Sequence, residues 1–113
     1  MSLSLSQKQQ HFALMVAELI VWINQQTGLT VTLGEAYRPP EMAEIYAKQG
    51  KGIVKSLHCE KLAIDLNLFS SGFFQPDTEA HRPIGEKWES MDPLNRWGGR
   101  FKRKDGGHYE FNG

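Results

Sequence analysis

The chain has 113 residues, one cysteine, and 13 basic against 13 acidic side chains, so its formal net charge is zero. That length fits one small domain over residues 1–113, and a lone Cys59 excludes an intramolecular disulfide framework. The charge balance supplies no overall basic field, so neither nucleic acid nor an anionic membrane surface is an expected partner.

Taken in chain order, the first apolar segment runs from Phe12 to Ile23. Glu18 interrupts it, no basic stretch precedes it, and it is shorter than the roughly 20 residues needed to cross a bilayer. Neither a signal peptide nor membrane insertion is expected. The segment reads as a helix capped by Ser6, with Phe12, Met15, Val16, Leu19, Ile20 and Ile23 on one face and Gly28 as its stop. LTVTLGEAYRP then reads as a strand, Val31 and Leu33 alternating against Thr30 and Thr32, that leads through Gly34 into an Arg-Pro turn. PPEMAEIYAKQGKG is a short helix with proline in its first turn, a face of Met42, Ile45 and Tyr46, and Gly50 at its end.

LAIDLNLF is the clearest strand. Alternation puts Leu62, Ile64, Leu66 and Leu68 on one side and Ala63, Asp65, Asn67 and Phe69 on the other. SSGFFQPDTEAHRP is rich in turn formers, PIGEKWESMDPL is a brief helix closed by Asp92-Pro93, and RWGGRFKRKDGGHYEFNG holds two strand-like pieces around glycine turns. Helices and strands mix without a βαβ rhythm. The expected class is α+β, with a small, mainly antiparallel sheet and flanking helices.

The leucine face of LAIDLNLF belongs to a core, which leaves Asp65 on the other face. An ionised carboxylate in a dry interior costs several kcal/mol or more unless it is paired or bound to a metal. That face therefore borders a polar cleft. His58 lies at the entrance to the strand, and in the terminal piece His108 and Glu110 would share the cleft side while Tyr109 and Phe111 take the core. Two histidines and a carboxylate make the protein ligand set of a catalytic zinc site with a fourth position open. Each residue has a plainer reading in isolation: His58 as a loop histidine, Asp65 and Arg38 as salt-bridge partners, Asp105 in KDGG as a turn former. A thiolate mechanism at Cys59 is disfavoured, because neighbouring residues diverge and Cys59 would not reach the imidazole beside it. RFKRK reads as a solvated turn or as an attraction for an acidic polymer, and neither His11 nor His81 is expected in the chemistry.

SLHCEKLAIDL resembles the SxHxxGxAxDL signature of the zinc D,D-peptidases and phage endolysin peptidases of the M15 type. KDGGHYEF is similar to their terminal (D/E)xxH element, YRP (Tyr37 to Pro39) to the arginine-bearing turn ahead of the signature, and WGGRFK to the WGG element of the endolysin branch. The resemblance implies the D-Ala-D-Ala metallopeptidase (hedgehog-like) fold, a Zn2+ cofactor and a peptidoglycan stem peptide as substrate. On the matching positions it makes His58, Asp65 and His108 the zinc ligands and Asp105 the catalytic carboxylate. Arg38 takes the place of the arginine at the scissile carbonyl, with Ser56 and Glu110 as supporting hydrogen-bonding groups.

Lys61 stands where the signature has glycine, and a positive φ there would strain the turn. Aspartate at position 105 leans the expected reaction toward L-alanyl-D-glutamate endopeptidase activity, with D-alanyl-D-alanine carboxypeptidase or dipeptidase activity as the alternative. The implied setting is a monomeric phage or prophage enzyme, made in the cytoplasm, that reaches the wall after holin-type export or lysis. A contrasting expectation is a zinc-stabilised module that binds a cell-wall peptide without cleaving it. Arg38 and Asp105, which a structural site does not need, argue for the enzyme.

Overall fold

The computed structural model of the chain describes residues 2–53 and 56–113. Helix α1 (Leu5–Gln25) opens the fold, and its N-cap is Ser4 rather than Ser6. The Ser4 hydroxyl accepts from the Gln7 amide while the Gln7 side chain accepts from the Ser4 amide, a capping box that the sequence pattern placed two residues too late. The inward face carries Phe12, Met15, Val16, Leu19 and Ile23, all buried, with Ile20 packed at its margin. The helix stops at Gln25, and Gly28 at φ 77° turns the chain into the first strand.

Strand β1 (Leu29–Leu33) pairs antiparallel with β2 (Ala63–Ser70), Leu33 opposite Leu66 and Leu29 opposite Ser70. A short β3 (Phe73–Phe74) folds back on the end of β2. β2 then pairs antiparallel with β5 (His108–Phe111), which pairs with β4 (Asn95–Trp97), giving the order β1-β2-β5-β4. Helix α3, after the short helix α2 (Pro40–Lys48), spans Arg82–Met91 between β3 and β4. This is the α+β arrangement expected from the sequence.

The core lies where α1 and α3 meet one side of the sheet. Trp88, Trp97, Tyr109, Leu19, Ile23, Leu68 and Ile84 are its largest fully buried side chains. Among the described residues no helix is long and apolar enough to cross a membrane. Two apolar faces read from the sequence do not close as expected. Leu33 is exposed because it lies at the edge of the sheet, where no helix covers it, and α2 buries Ala43 while Ile45 faces solvent. Alternation identifies the pleat of a strand and the stripe of a helix, but not whether another element reaches that position.

The approach to β2 is a 3-10 turn, Leu57–Glu60, capped by Ser56, whose hydroxyl accepts from the His58 amide at 3.2 Å. Lys61 closes the turn in the left-handed region, φ 58° and ψ 37°, and its ammonium sits 5.2 Å from the centre of the Tyr37 ring. A residue with a Cβ costs about 1–2 kcal/mol there, and an exposed cation–π contact returns less than that, about 0.5–1 kcal/mol. We therefore expect Lys61→Gly to leave stability unchanged or raise it by up to about 1 kcal/mol, and Lys61→Ile to lower it by about 1 kcal/mol or more. Urea unfolding midpoints check this; a Lys61→Gly variant weaker than the parent would show that the Tyr37 contact outweighs the backbone strain.

Candidate metal centre and its cleft

The register of β2 against β5 brings the site together. Asp65 lies opposite His108 and Ala63 opposite Glu110, so Asp65, His108 and Glu110 emerge on the same face of the sheet. The capped turn before β2 adds His58. Ligand atoms of His58, Asp65 and His108 all lie within 4.8 Å of one another. Asp65 Oδ1 is 3.3 Å from His58 Nε2 and 3.3 Å from His108 Nδ1. These are distances at which three donors face one point, and both histidines and the carboxylate are types that zinc accepts.

What stands behind each ligand defines which atom it presents. His108 Nε2 donates to Glu110 Oε1 at 2.6 Å, and the other oxygen of Glu110 accepts from Arg96 Nε at 2.7 Å. With Nε2 spent on Glu110, the lone pair of neutral His108 is on Nδ1, toward Asp65. His58 turns Nε2 toward Asp65, while its Nδ1 is buried and lacks a hydrogen-bond partner among the described residues. Glu35 Oε1 lies 3.8 Å from that nitrogen, so a small shift would give His58 a carboxylate as well. A metal drawing Nε2 is consistent with this pose, because it fixes the proton on Nδ1, facing Glu35.

Electrostatics point the same way. Burial alone would raise Asp65, but hydrogen bonds from His108 and His58 outweigh it and hold the carboxyl at about 2. Burial would lower His108, yet its hydrogen bonds to Asp65 and Glu110 prevail and lift it to about 9. Glu110 stays below the usual carboxylate range despite burial, because His108 and Arg96 both donate to it. Asp105 moves the other way: burial raises it, and the nearby charge of Asp65 adds to the rise. Its Oδ2 lies 4.0 Å from His108 Nδ1 with the side chain largely open to the cleft, so it borders the donor set without joining it. Glu110, which strand alternation puts on the same face as His108, is buried with both oxygens bonded and is not free to accept a proton from water.

Asp105 is placed by glycines and a tryptophan. Trp97 is packed against Gly85 and Gly99, where a Cβ would fall 2.1 and 2.2 Å from its ring. Its indole Nε1 donates to Gly106 O at 2.8 Å, pinning the DGGH turn. Gly98 O accepts from the Asp105 amide at 2.9 Å, and a Cβ on Gly98 would meet Asp105 O at 2.1 Å. WGG and DGGH are thus one interlocked unit.

Arg38 lines the same cleft. Its Nε donates to Glu35 Oε1 at 2.8 Å, its guanidinium lies 5.1 Å from the Tyr46 ring centre, and its amide donates to His58 O at 3.1 Å. Glu35 also accepts the Asp65 amide on its backbone oxygen at 2.9 Å, so one residue touches Arg38, Asp65 and the surroundings of His58. Neither Glu35 nor Arg96 was singled out by sequence patterns. Glu35 sits three residues before Arg38, a spacing that could have flagged an ion pair, whereas Arg96 needs the β4–β5 register to be seen. The cleft holds about 530 Å³ and is lined by Arg38, Ser56, His58, Asp65, Asp105, His108 and Glu110. Ser56 serves the turn that carries His58. Cys59 is half-buried and free, His11 pairs with Asp92, and His81 is buried against the Tyr109 hydroxyl at 2.9 Å.

A cluster of two histidines and one carboxylate on an antiparallel sheet is a donor set that could hold a metal ion, the arrangement of a metal-centre class of protein. The family model described as D-alanyl-D-alanine carboxypeptidase, of peptidase group M15, matches residues 49–111. The match covers more than half of the chain, and the chain belongs to the M15 peptidases. In fold it is similar to the crystal structure of Serratia marcescens L-Ala D-Glu endopeptidase ChiX. The TM-score is 0.76 at 16% identity, over 90% of this chain and 78% of that one. Comparison with curated protein sequences gives no match.

A bound cation must displace the Nδ1 proton of His108 that faces Asp65, while the Nε2 proton stays directed at Glu110. Apparent zinc affinity should therefore fall about tenfold per pH unit on descending from pH 9, where His108 is half-protonated, toward pH 6.5. Competition titrations with a chromophoric chelator measure it, and a flat profile would contradict the raised value. Glu110→Ala should weaken zinc binding by about 10–100-fold.

Proposed function

We propose that the chain is a zinc-dependent peptidase that cuts peptidoglycan stem peptides, with the L-alanyl-D-glutamate bond as its substrate. The observation that carries this reading is the juxtaposition of the His58, Asp65 and His108 donor atoms within 4.8 Å, with Asp105 and Arg38 on the same cleft. In that reading His58 Nε2, Asp65 and His108 Nδ1 hold the ion, and Glu110 and Arg96 keep His108 in the ligating tautomer. Zinc held there supplies a Lewis acid that polarises a carbonyl and brings the acidity of water into the neutral range.

The remaining chemistry belongs to the chain. Asp105, raised by its surroundings, is poised to take a proton from the attacking water and return it to the leaving amine. Arg38, oriented by Glu35 and Tyr46, directs its free guanidinium N–H groups at charge developing on the carbonyl oxygen, an effect worth about 3 kcal/mol for one well-placed donor. The interlock of Trp97 with Gly106 holds Asp105 in place throughout. A D-alanyl-D-alanine carboxypeptidase is the second reading, favoured by the description of the matching family model.

Mass spectrometry of peptidoglycan digested by the zinc-loaded protein separates the two, since fragments ending in L-alanine identify the first and free D-alanine the second. Asp105→Ala should retain its metal and lose about 10²–10⁴-fold in rate, the range of a general acid–base contribution. His58→Ala should lose the metal. Full activity in the Asp105 variant would remove the assigned base, and a metal-binding His58→Ala variant would remove the ligand set.

A further inference from the structure

The mouth of the cleft carries a charge pattern that the chemistry at its floor does not require. Five cations line it, Arg38, Lys51, Arg96, Arg103 and Lys104, against three carboxylates, Asp65, Asp105 and Glu110. This occurs in a chain whose formal charge is zero. Two of the five are already engaged: Arg38 by Glu35 and Arg96 by Glu110. The other three, Lys51, Arg103 and Lys104, are exposed, and among the described residues none forms an ion pair with a carboxylate within 4 Å.

They also come from two separate walls. Lys51 follows α2, whereas Arg103 and Lys104 precede Asp105 in the loop between β4 and β5. Arg103 Nη1 donates to Gly50 O at 2.8 Å, which ties these walls together and holds its positive charge at the mouth. An ion bound by the donor set would add positive charge at the floor, and Asp65 and Glu110 are already compensated by their histidine and arginine partners. A substrate entering this cleft therefore meets a positive field at both ends of its path, and cations at the entrance raise the local concentration of an anion.

We propose that Lys51, Arg103 and Lys104 form a cationic rim that selects peptides bearing a free carboxylate beside the scissile bond over the same peptides with that carboxylate amidated. The proposal rests on the peptidase reading and gives that site a charge requirement. The rim acts on binding and on encounter, not on the bond-breaking step, so its effect sits in kcat/KM and weakens with salt. Exposed charges act through water and each contributes little, but three of them lining one cleft give a preference of about tenfold at low ionic strength.

The test compares two peptides of identical length, an alanyl-glutamate peptide with the glutamate carboxylate free and its carboxamide, with the zinc-loaded full chain. The wild type should favour the acid by about tenfold in kcat/KM at 20 mM salt and by about threefold or less at 500 mM. Lys51→Gln/Lys104→Gln should bring the low-salt ratio close to one, and Lys104→Glu should push it further toward the amide. Zinc content and thermal unfolding, measured on each variant, verify that the floor of the site is intact. Equal cleavage of acid and amide by the wild type, or an unchanged ratio in the double variant, would overturn the rim while leaving the peptidase reading in place. Cleavage of neither peptide by zinc-loaded wild type would overturn the alanyl-glutamate endopeptidase reading and the rim with it.

Discussion

The antiparallel register of β2 on β5 is the constraint on which the site depends. A shift of one residue would send Asp65 and His108 to opposite faces of the sheet, because side chains alternate strictly along a strand. The register is fixed by burial. Ile64 and Leu66 on β2, with Tyr109 and Phe111 on β5, all face the core formed with α1 and α3, and none can turn outward without exposing a large apolar surface. Trp88 adds a polar pin from α3, its indole nitrogen donating to Glu110 O at 3.0 Å. The hydrophobic face thus sets the position of the polar one. The shared face of Asp65 and His108 is a by-product of core packing, and the capped turn before β2 adds His58 to it.

Charges in the cleft are layered. At the floor, every buried or half-buried acid has a partner: Asp65 has two histidines, Glu110 has His108 and Arg96, and Glu35 has Arg38. Asp65 and Glu110 keep their charge because hydrogen bonds replace lost water. Asp105, largely open to the cleft, differs from these: it stands beside Asp65, and its Oδ2 is 4.0 Å from His108 Nδ1. Two nearby carboxylates whose surroundings push them in opposite directions give one the role of a permanent anion and the other that of a proton carrier. Asp65 is held down and Asp105 is pushed up, the division that the proposed function draws on.

Much of the fold was legible in the sequence because its strong signals coincide with burial. The helical stripe from Phe12 to Ile23 and the alternation in LAIDLNLF both describe faces that another element covers. Leu33 and Ile45 gave signals of the same kind, but no element covers them, and coverage is a tertiary fact. The site separates similarly. His58, Asp65, His108, Asp105 and Arg38 sit in short motifs whose spacing survives in the linear sequence. Arg96 and Glu35 act by meeting groups on other segments, so only the strand register and the path of the turn after β1 disclose them.

Lys61 joins these threads. The turn that carries His58 must reverse within a few residues so that Leu62 can enter the core directly after it. The Leu62 amide donates to Leu57 O at 3.0 Å and the Lys61 amide to His58 O at 3.3 Å, which closes the turn tightly. A left-handed residue at 61 is the geometric consequence, whichever amino acid occupies it. The strain persists because Leu62 and Ile64 anchor the strand on one side and the Ser56 cap fixes the turn on the other. Relaxing Lys61 toward a right-handed conformation would swing His58 away from Asp65, so local backbone energy is held at the point where a ligand leaves the sheet and must still face it.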